Sequence, residues 1–209
     1  MEKNLLNYET LLKITERLSM SREFDEVTLP AVTGIRDALQ TKGCALFLIN
    51  PKTHELEVAA AVGLSDNYLN KGPISALRSI ADALKDGPVA IYDVSDDPRI
   101  QYPGEARREG IASILAVPIM ARGNPIGAVR IYTAEKWEFN IEDVNLVQAV
   151  AQIAGMAIEM SRLYKGLKSS IEILKSRQDH RALGENRWTP HEGVPISEGR
   201  MSSVTSESS

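Results

Sequence analysis

The sequence predicts an α+β domain: a central antiparallel sheet with helices on both faces and long helices at its two ends. Three observations predict it. Residues Ile111 to Thr133 read IASILAVPIM, ARGN, PIGAVRIYT, two Ile- and Val-rich runs about a short loop with Gly and Asn, which is the pattern of a tight antiparallel hairpin. Cys44 to Ile49 and Glu55 to Val62 form a second pair of runs about the turn Asn50-Pro51-Lys52-Thr53. Helical periodicity precedes Cys44 and follows Thr133, so strands joined mostly by hairpins lie between terminal helices.

In order, Asn4 to Met20 reads as a helix carrying Leu11, Ile14 and Leu18 on one stripe and Leu5, Tyr8, Leu12 and Thr15 on its neighbour. Ser21 is placed to cap the next helix, with Glu23, Asp25 and Glu26 near the positive end of its dipole. Phe24, Val27, Ala31, Ile35 and Leu39 are its buried face. Pro30 leaves two alternatives open, a start near Thr28 or a kink. Lys42-Gly43 is read as the stop. After the Cys44–Val62 hairpin, Leu64 to Pro73 reads as loop, and Ile74 to Leu84 as a helix with Ile74, Leu77, Ile80, Ala81 and Leu84 at helical spacing. Val89 to Val94 is a short strand, Ser95 to Pro103 a loop, and Glu105 to Glu109 a short helix ended by Gly110. A long helix starts near Ile141 with Asn140 as its cap and runs to about Arg177.

The central hairpin separates two faces. Its first strand is apolar on both, as befits the interior of a sheet. In its second strand Val129 and Ile131 alternate with Arg130 and Tyr132. A buried charge is expensive, so Arg130 is either paired or faces a cavity. We expect the Arg130/Tyr132 face to line a pocket covered by the Ile74–Leu84 helix and the Asp93–Gly110 segment, and Val129 and Ile131 to lie under the terminal helices.

Composition narrows the function. A formal net charge of -4 speaks against a binder of nucleic acid or anionic membrane. Cys44 is the single cysteine, which rules out an intramolecular disulfide and a two-cysteine redox cycle. The start MEKNLLNYET has neither a basic nor an apolar signal region, and no apolar run is long enough to span a bilayer, so a cytoplasmic protein is expected. There is no phosphate loop, dinucleotide fingerprint, HExxH or G-x-S-x-G. His54, His180 and His191 do not stand at ligand spacing, and Pro98 and Gly104 break the calcium-loop pattern begun by Asp93, Ser95 and Asp97. No metal and no catalytic residue is expected. Arg99, Arg107 and Arg108 read as a solvated face. Tyr102, Tyr132 and Arg130 are the binding candidates, because aromatic and Arg side chains about a mostly apolar hollow are how small-molecule sites are built. The competing reading places the tyrosines at an ordinary core rim.

From about Leu5 to Tyr164 the chain resembles a GAF domain. The series CALFLINPKTHELEV, VAIYDVSDDPR, EARREGIASILAVPIMARGNPIGAVRIYT and FNIEDVNLVQAVAQIAGMAIEM carries the resemblance through its order. It includes an NP-type turn, a DV…DPR loop, a helix ending in Gly-Ile, a strand of the S-x-L-x-V-P-I type beginning at Ser113, and an F-x-x-x-D start to the last helix. The resemblance implies a GAF-like sheet with a ligand pocket on one face, terminal helices on the other, and dimerisation through those helices. Ser113 joins Arg130, Tyr132 and Tyr102 as the ligand-binding candidates. Phe139 and Asp143 match the members that bind cyclic nucleotides, but Thr133 and Ala134 stand for their Asn-Lys and Val144 for their Glu. The Cys and His motif of bilin-binding members is absent. The branch that reduces free methionine sulfoxide uses several cysteines, which a lone Cys44 cannot replace.

These readings divide the chain into an N-terminal helix (1–20), a GAF-like domain (21–164), a coiled-coil extension of the last helix (165–177) and a disordered tail (178–209), together a stand-alone module. The extension follows from a heptad seam: Leu146, Val150, Ile153, Ala157, Met160, Tyr164, Leu167, Ile171 and Leu174 step alternately by four and three. A second stripe, Val144, Val147, Ala151, Ala154 and Ile158, is expected to pack on the sheet while the seam packs on another helix in a parallel homodimer. Gly155 and Gly166 each cost about 1 kcal/mol against Ala in that helix. The expected function is a sensory or regulatory module that binds an unidentified small molecule and signals to a partner protein. The alternatives are a ligand-free dimerisation scaffold and, last, an enzyme of the free methionine sulfoxide reductase type.

Overall fold

The computed structural model describes residue 9 and residues 11–16, 24–72, 74–75 and 87–185. In chain order these form helix α1 (residues 11–16), α2 (Phe24–Leu39), strands β1 (Gly43–Ile49) and β2 (Glu55–Val62), the single turn α3 (Asp66–Leu69), β3 (Ile74–Ser75), β4 (Val89–Ile91), α4 (Pro103–Glu109), β5 (Ser113–Ala121), β6 (Asn124–Thr133) and α5 (Ile141–Glu185). The strands make one sheet in the order β3-β2-β1-β6-β5-β4, and every pairing is antiparallel. Antiparallel neighbours need no helical crossover, which is what frees the helices to gather on the faces.

The hairpin of β5 and β6 turns on Arg122 and Gly123, with φ of 48° and 77°. Positive φ at both central residues is the type I′ turn, whose twist matches the flanking strands. Its register sets Leu115 opposite Ile131 and Ala116 opposite Arg130. Leu115, Val117, Val129 and Ile131 therefore fall on one side of the sheet, where they join Cys44 and Leu46 of β1 in a core with Val27 and Ile35 of α2 and Val147, Ala151, Ala154 and Ile158 of α5. Ile14 of α1 closes this core against α2, its Cδ1 only 2.5 Å from where a Cβ on Gly34 would sit. Ala45, Phe47, Ile114, Ala116, Ala128 and Tyr132 fall on the other side. Each large aliphatic side chain taken fully out of water contributes about 1.5–3 kcal/mol, so both faces are firmly assigned by burial.

Helix ends explain where the predicted boundaries hold and where they move. The α2 helix runs through Pro30 without restarting. Pro30 stands in its second turn, where the ring leaves only the Glu26 carbonyl without its usual donor. The helix ends before the expected Lys42-Gly43: Gln40 takes a left-handed φ of 51°, and the Thr41 amide donates to the Arg36 carbonyl at 3.1 Å, a Schellman end. Gly43 instead begins β1, where a Cβ would come within 2.9 Å of the Val62 carbonyl. Gly110 (φ 72°) closes α4 as expected. Asn140 caps α5, accepting from the Glu142 and Asp143 amides at 2.9 Å, while Asp143 accepts from the Asn140 amide at 3.3 Å.

Two expectations change. Ile74 and Ser75 do not open a helix: Ile74 pairs with Leu56 and Ser75 with Glu55 as an edge strand. The rest of the Ile74–Leu84 helix lies outside the described residues. The α5 helix continues past Arg177 to Glu185, so the first part of the expected tail is helical, and residues 186–209 lie outside the described residues. The chain divides into two units, residues 1–166 and 167–209. No described helix is long and apolar enough to cross a membrane.

Candidate functional site

On the face away from α2 and α5, a hollow opens over the middle of the sheet. Its floor is Ile114 of β5 and Arg130 of β6. Tyr68 of α3 and Lys71 form one wall, and Ile100, Gln101 and Tyr102, ahead of α4, form the other. The cavity measures about 20 Å³, room for a single water-sized group.

Local folding sets each of these groups. Ser65 caps α3 by accepting from the Tyr68 amide at 3.2 Å, and its hydroxyl donates to the Glu109 carboxylate at 2.5 Å. That pair ties α3 to α4 and turns Tyr68 inward. The Tyr68 ring meets Tyr132 edge to face with centroids 5.7 Å apart. Gly72 has φ of 130°, and a Cβ there would stand 2.9 Å from the Tyr102 hydroxyl. The absence of that carbon is what lets Tyr102 close against the Lys71-Gly72 segment. Gln101 donates to the Tyr102 hydroxyl at 3.2 Å.

The electrostatics are dominated by two cations. Arg130 is only 6% exposed, with its guanidinium 5.7 Å from the Phe47 ring centroid. Lys71 donates to the Tyr68 carbonyl at 2.8 Å and holds its ammonium 3.7 Å from the Tyr68 ring centroid. Burial first, and then the Arg130 charge, lower the Lys71 pKa to about 8, against the opposing pull of Glu109 and Glu105. Burial raises both the Tyr68 and the Tyr132 hydroxyls well above the ordinary range, with Arg130 pulling in the other direction. Glu109 sits slightly buried, which raises it, yet the Ser65 hydrogen bonds hold it below the usual carboxylate range.

The four expected binding residues separate. Arg130 and Tyr102 line the hollow. Tyr132 lies on the same face but is fully buried beneath it, packed with Tyr68 in the second core. Ser113 is on the opposite face and does not reach the hollow. Its hydroxyl donates to the Tyr92 carbonyl at 2.5 Å and accepts from the Trp137 amide at 2.8 Å, pinning the connection between β6 and α5 to the sheet. Lys71 and Tyr68 were missed because they fall in a stretch read as loop. The one available signal was Ser65, a cap residue ahead of Tyr68. Cys44 is fully buried under α2 and burial raises its thiol far above the ordinary range, so it is an inert core residue in this fold. Among the described residues no group of three or more His, Cys, Asp or Glu could hold a metal ion.

Known proteins share the fold. The family model described as GAF domain matches residues 21–159. The GAF domain of a phosphoenolpyruvate-protein phosphotransferase from Coxiella burnetii superposes with a TM-score of 0.70 at 19% identity, covering 78% of this chain and 98% of that one. A free methionine-R-sulfoxide reductase from Neisseria meningitidis, solved with its substrate, gives 0.67 at 20% identity over 78% and 95%. Residues 122 to 287 of a methyl-accepting chemotaxis protein give 0.60 at 26% identity over 73% and 98%. No curated protein sequence matches the chain.

Proposed function

The chain belongs to the GAF domain family, and from that premise we propose that it is a sensory or regulatory module. It binds a small molecule in the hollow above Arg130 and passes its state to a partner protein through the helices on the other face. One observation carries this reading. A buried Arg130 and a half-buried Lys71 stand on a single hollow with Tyr68, Tyr102 and three isoleucines, and aromatic and cationic side chains about a mostly apolar hollow are how small-molecule sites are built.

The sheet supplies the route between the faces. Arg130 and Tyr132 on the hollow side alternate along β6 with Val129 and Ile131, which touch the helices. A displacement of β6 by a ligand is therefore felt in the α2 and α5 core. In α5 the start of the heptad seam, Leu146 and Val150, is already buried within the chain, so only its later part offers a surface. Met160, Tyr164, Leu167, Ile171 and Leu174 are exposed, Met160 at 68% and Leu167 at 64%. Such a stripe, at coiled-coil spacing, supports a parallel homodimer as the output arrangement. The buried and inert Cys44 supports a non-enzymatic role. One observation favours a ligand-free scaffold instead: the cavity of about 20 Å³ is far below the few hundred cubic ångströms of an ordinary ligand site.

Native mass spectrometry of the protein purified from its own host separates the two. A retained small molecule, lost on denaturation, is the expected result. A clean apo mass overturns the sensory reading in favour of the scaffold.

A further inference from the structure

A cavity of about 20 Å³ takes a ligand only if one of its walls moves. The floor is fixed by the sheet: Ile114 stands opposite Tyr132, and Arg130 opposite Ala116 on one side and Ala45 on the other. The wall formed by residues 64–71 is attached differently. It lies between two glycines of positive φ, Gly63 at 73° and Gly72 at 130°, a backbone region that other residues rarely adopt. Its regular structure is the single turn α3, of which Tyr68 alone is buried. A turn of four residues does not hold by itself, and a segment that buries so little opens at low cost.

This wall is fastened to the rest of the domain through three side chains. Tyr68 meets Tyr132 edge to face, Leu64 packs half-buried against the second core, and Ser65 reaches Glu109 at the end of α4. There the Ser65 amide donates to one carboxylate oxygen at 2.9 Å and the hydroxyl to the other at 2.5 Å. The same hydroxyl accepts from the Tyr68 amide at 3.2 Å. One side chain thus caps α3, orients Tyr68 and ties both to α4. Hydrogen bonds to an ionised acceptor are about twice as strong as neutral ones, so this tie is firm while it lasts. Ser65 is exposed and Glu109 half-buried, so water satisfies both when they part and the open form leaves no polar group orphaned.

Resting on the reading of the hollow as a ligand site, we propose that residues 64–71 are a lid, that the Ser65–Glu109 pair is its latch, and that release of the latch is the step that admits a ligand. Turning about Gly63 and Gly72, the lid lifts Tyr68 off Tyr132 and carries Lys71 from the rim, which uncovers Ile114 and Arg130.

Hydrogen exchange followed by NMR on the full chain tests the latch. The reporters are the Leu69 and Asn70 amides, which donate to the Ser65 and Asp66 carbonyls at 3.0 and 2.9 Å and are freed when α3 loses its anchor. Glu109→Gln keeps the shape of the acceptor and removes its charge, and should speed their exchange by about tenfold. Ser65→Asp keeps a cap for the Tyr68 amide but sets a second carboxylate against Glu109, and should speed it at least as much. Joined in one chain, the two substitutions restore an amide donor to a carboxylate acceptor, and exchange should return to within about threefold of the wild type. The amides of β5 and β6 should exchange as in the wild type in all three variants. A latch that guards entry also guards exit, so the molecule retained by the wild type in native mass spectrometry should leave Glu109→Gln several-fold faster on dilution. Unchanged exchange in both single variants, acceleration that extends equally to β5 and β6, or a double variant no slower than the singles overturns the latch, whatever is retained. A molecule that leaves the variant no faster overturns the entry role and leaves the sensory reading standing. Faster local exchange in a protein that retains nothing overturns the sensory reading and the entry role with it.

Discussion

Two glycines in α5 look alike in sequence and have opposite roles in the structure. In a helix interior, Gly→Ala is worth about 1 kcal/mol in favour of Ala. At Gly155 the methyl would stand 2.4 Å from the Met120 carbonyl oxygen and 3.1 Å from Ile119 Cγ2. The obstacle is backbone at the irregularity between Ile119 and Met120, where β5 slips register against β6, so it cannot rotate away like a side chain. Moving α5 back by the better part of an ångström would open the Ala151, Ala154 and Ile158 contacts. Overpacking of this kind costs about 1–3 kcal/mol, and a backbone obstacle belongs at the upper end. Gly155→Ala is thus expected to destabilise by about 2 kcal/mol net, lowering the Tm by about 4–8 °C for a chain of this size. At Gly166 a Cβ meets nothing within 4 Å, and Gly166→Ala should raise the Tm by about 2–4 °C. Thermal melts followed by far-UV circular dichroism read both. If Gly155→Ala is as stable as the wild type, α5 does not seat on β5 as described.

Three further outcomes follow from named contacts. Replacing Leu167 and Ile171 with Glu puts like charges on the exposed seam, and sedimentation should show a folded monomer in place of the proposed wild-type dimer. A wild type already monomeric at tens of micromolar, the order of magnitude of weak association, removes the dimer. Lys71→Met should stabilise the protein at neutral pH. The Lys71 pKa is lowered on folding, so the unfolded chain binds more protons between about pH 8 and 10.5, wild-type stability rises across that window, and the advantage of the variant fades by its upper end. An advantage that grows with pH contradicts the burial of Lys71. Ser113→Ala leaves the Trp137 amide without its acceptor and should cost about 1–3 kcal/mol in a denaturant melt while leaving any retained ligand in place. Loss of the ligand at unchanged stability would return Ser113 to the site.

What the sequence made legible was what short-range patterns encode. The alternation of Val129 and Ile131 with Arg130 and Tyr132 assigned the two faces of β6 before any packing was known, because a strand's period of two admits no other arrangement. The Asn140 cap and the Gly110 stop were equally readable, since each solves a local problem of unpaired backbone groups. Three features set by tertiary placement were not. Ile74 and Ser75 sit in a stretch with helical spacing but pair with Leu56 and Glu55, a tertiary contact that local periodicity cannot foresee. Ser113 shares a strand with hollow-lining Ile114, and only register tells that its hydroxyl serves the loop behind the sheet. Lys71 became visible only when the single turn of α3 brought it across from Arg130, residues far apart along the chain.

The hollow above Arg130 is proposed as a binding site. The most direct measurement is a crystal structure of the protein purified from its own host with no ligand added. Density for a small molecule is expected between Arg130, Lys71 and Tyr102, with the Tyr68 and Tyr102 walls drawn apart to admit it. A small molecule resolved elsewhere on the domain, with this hollow closed around a single water, would contradict it.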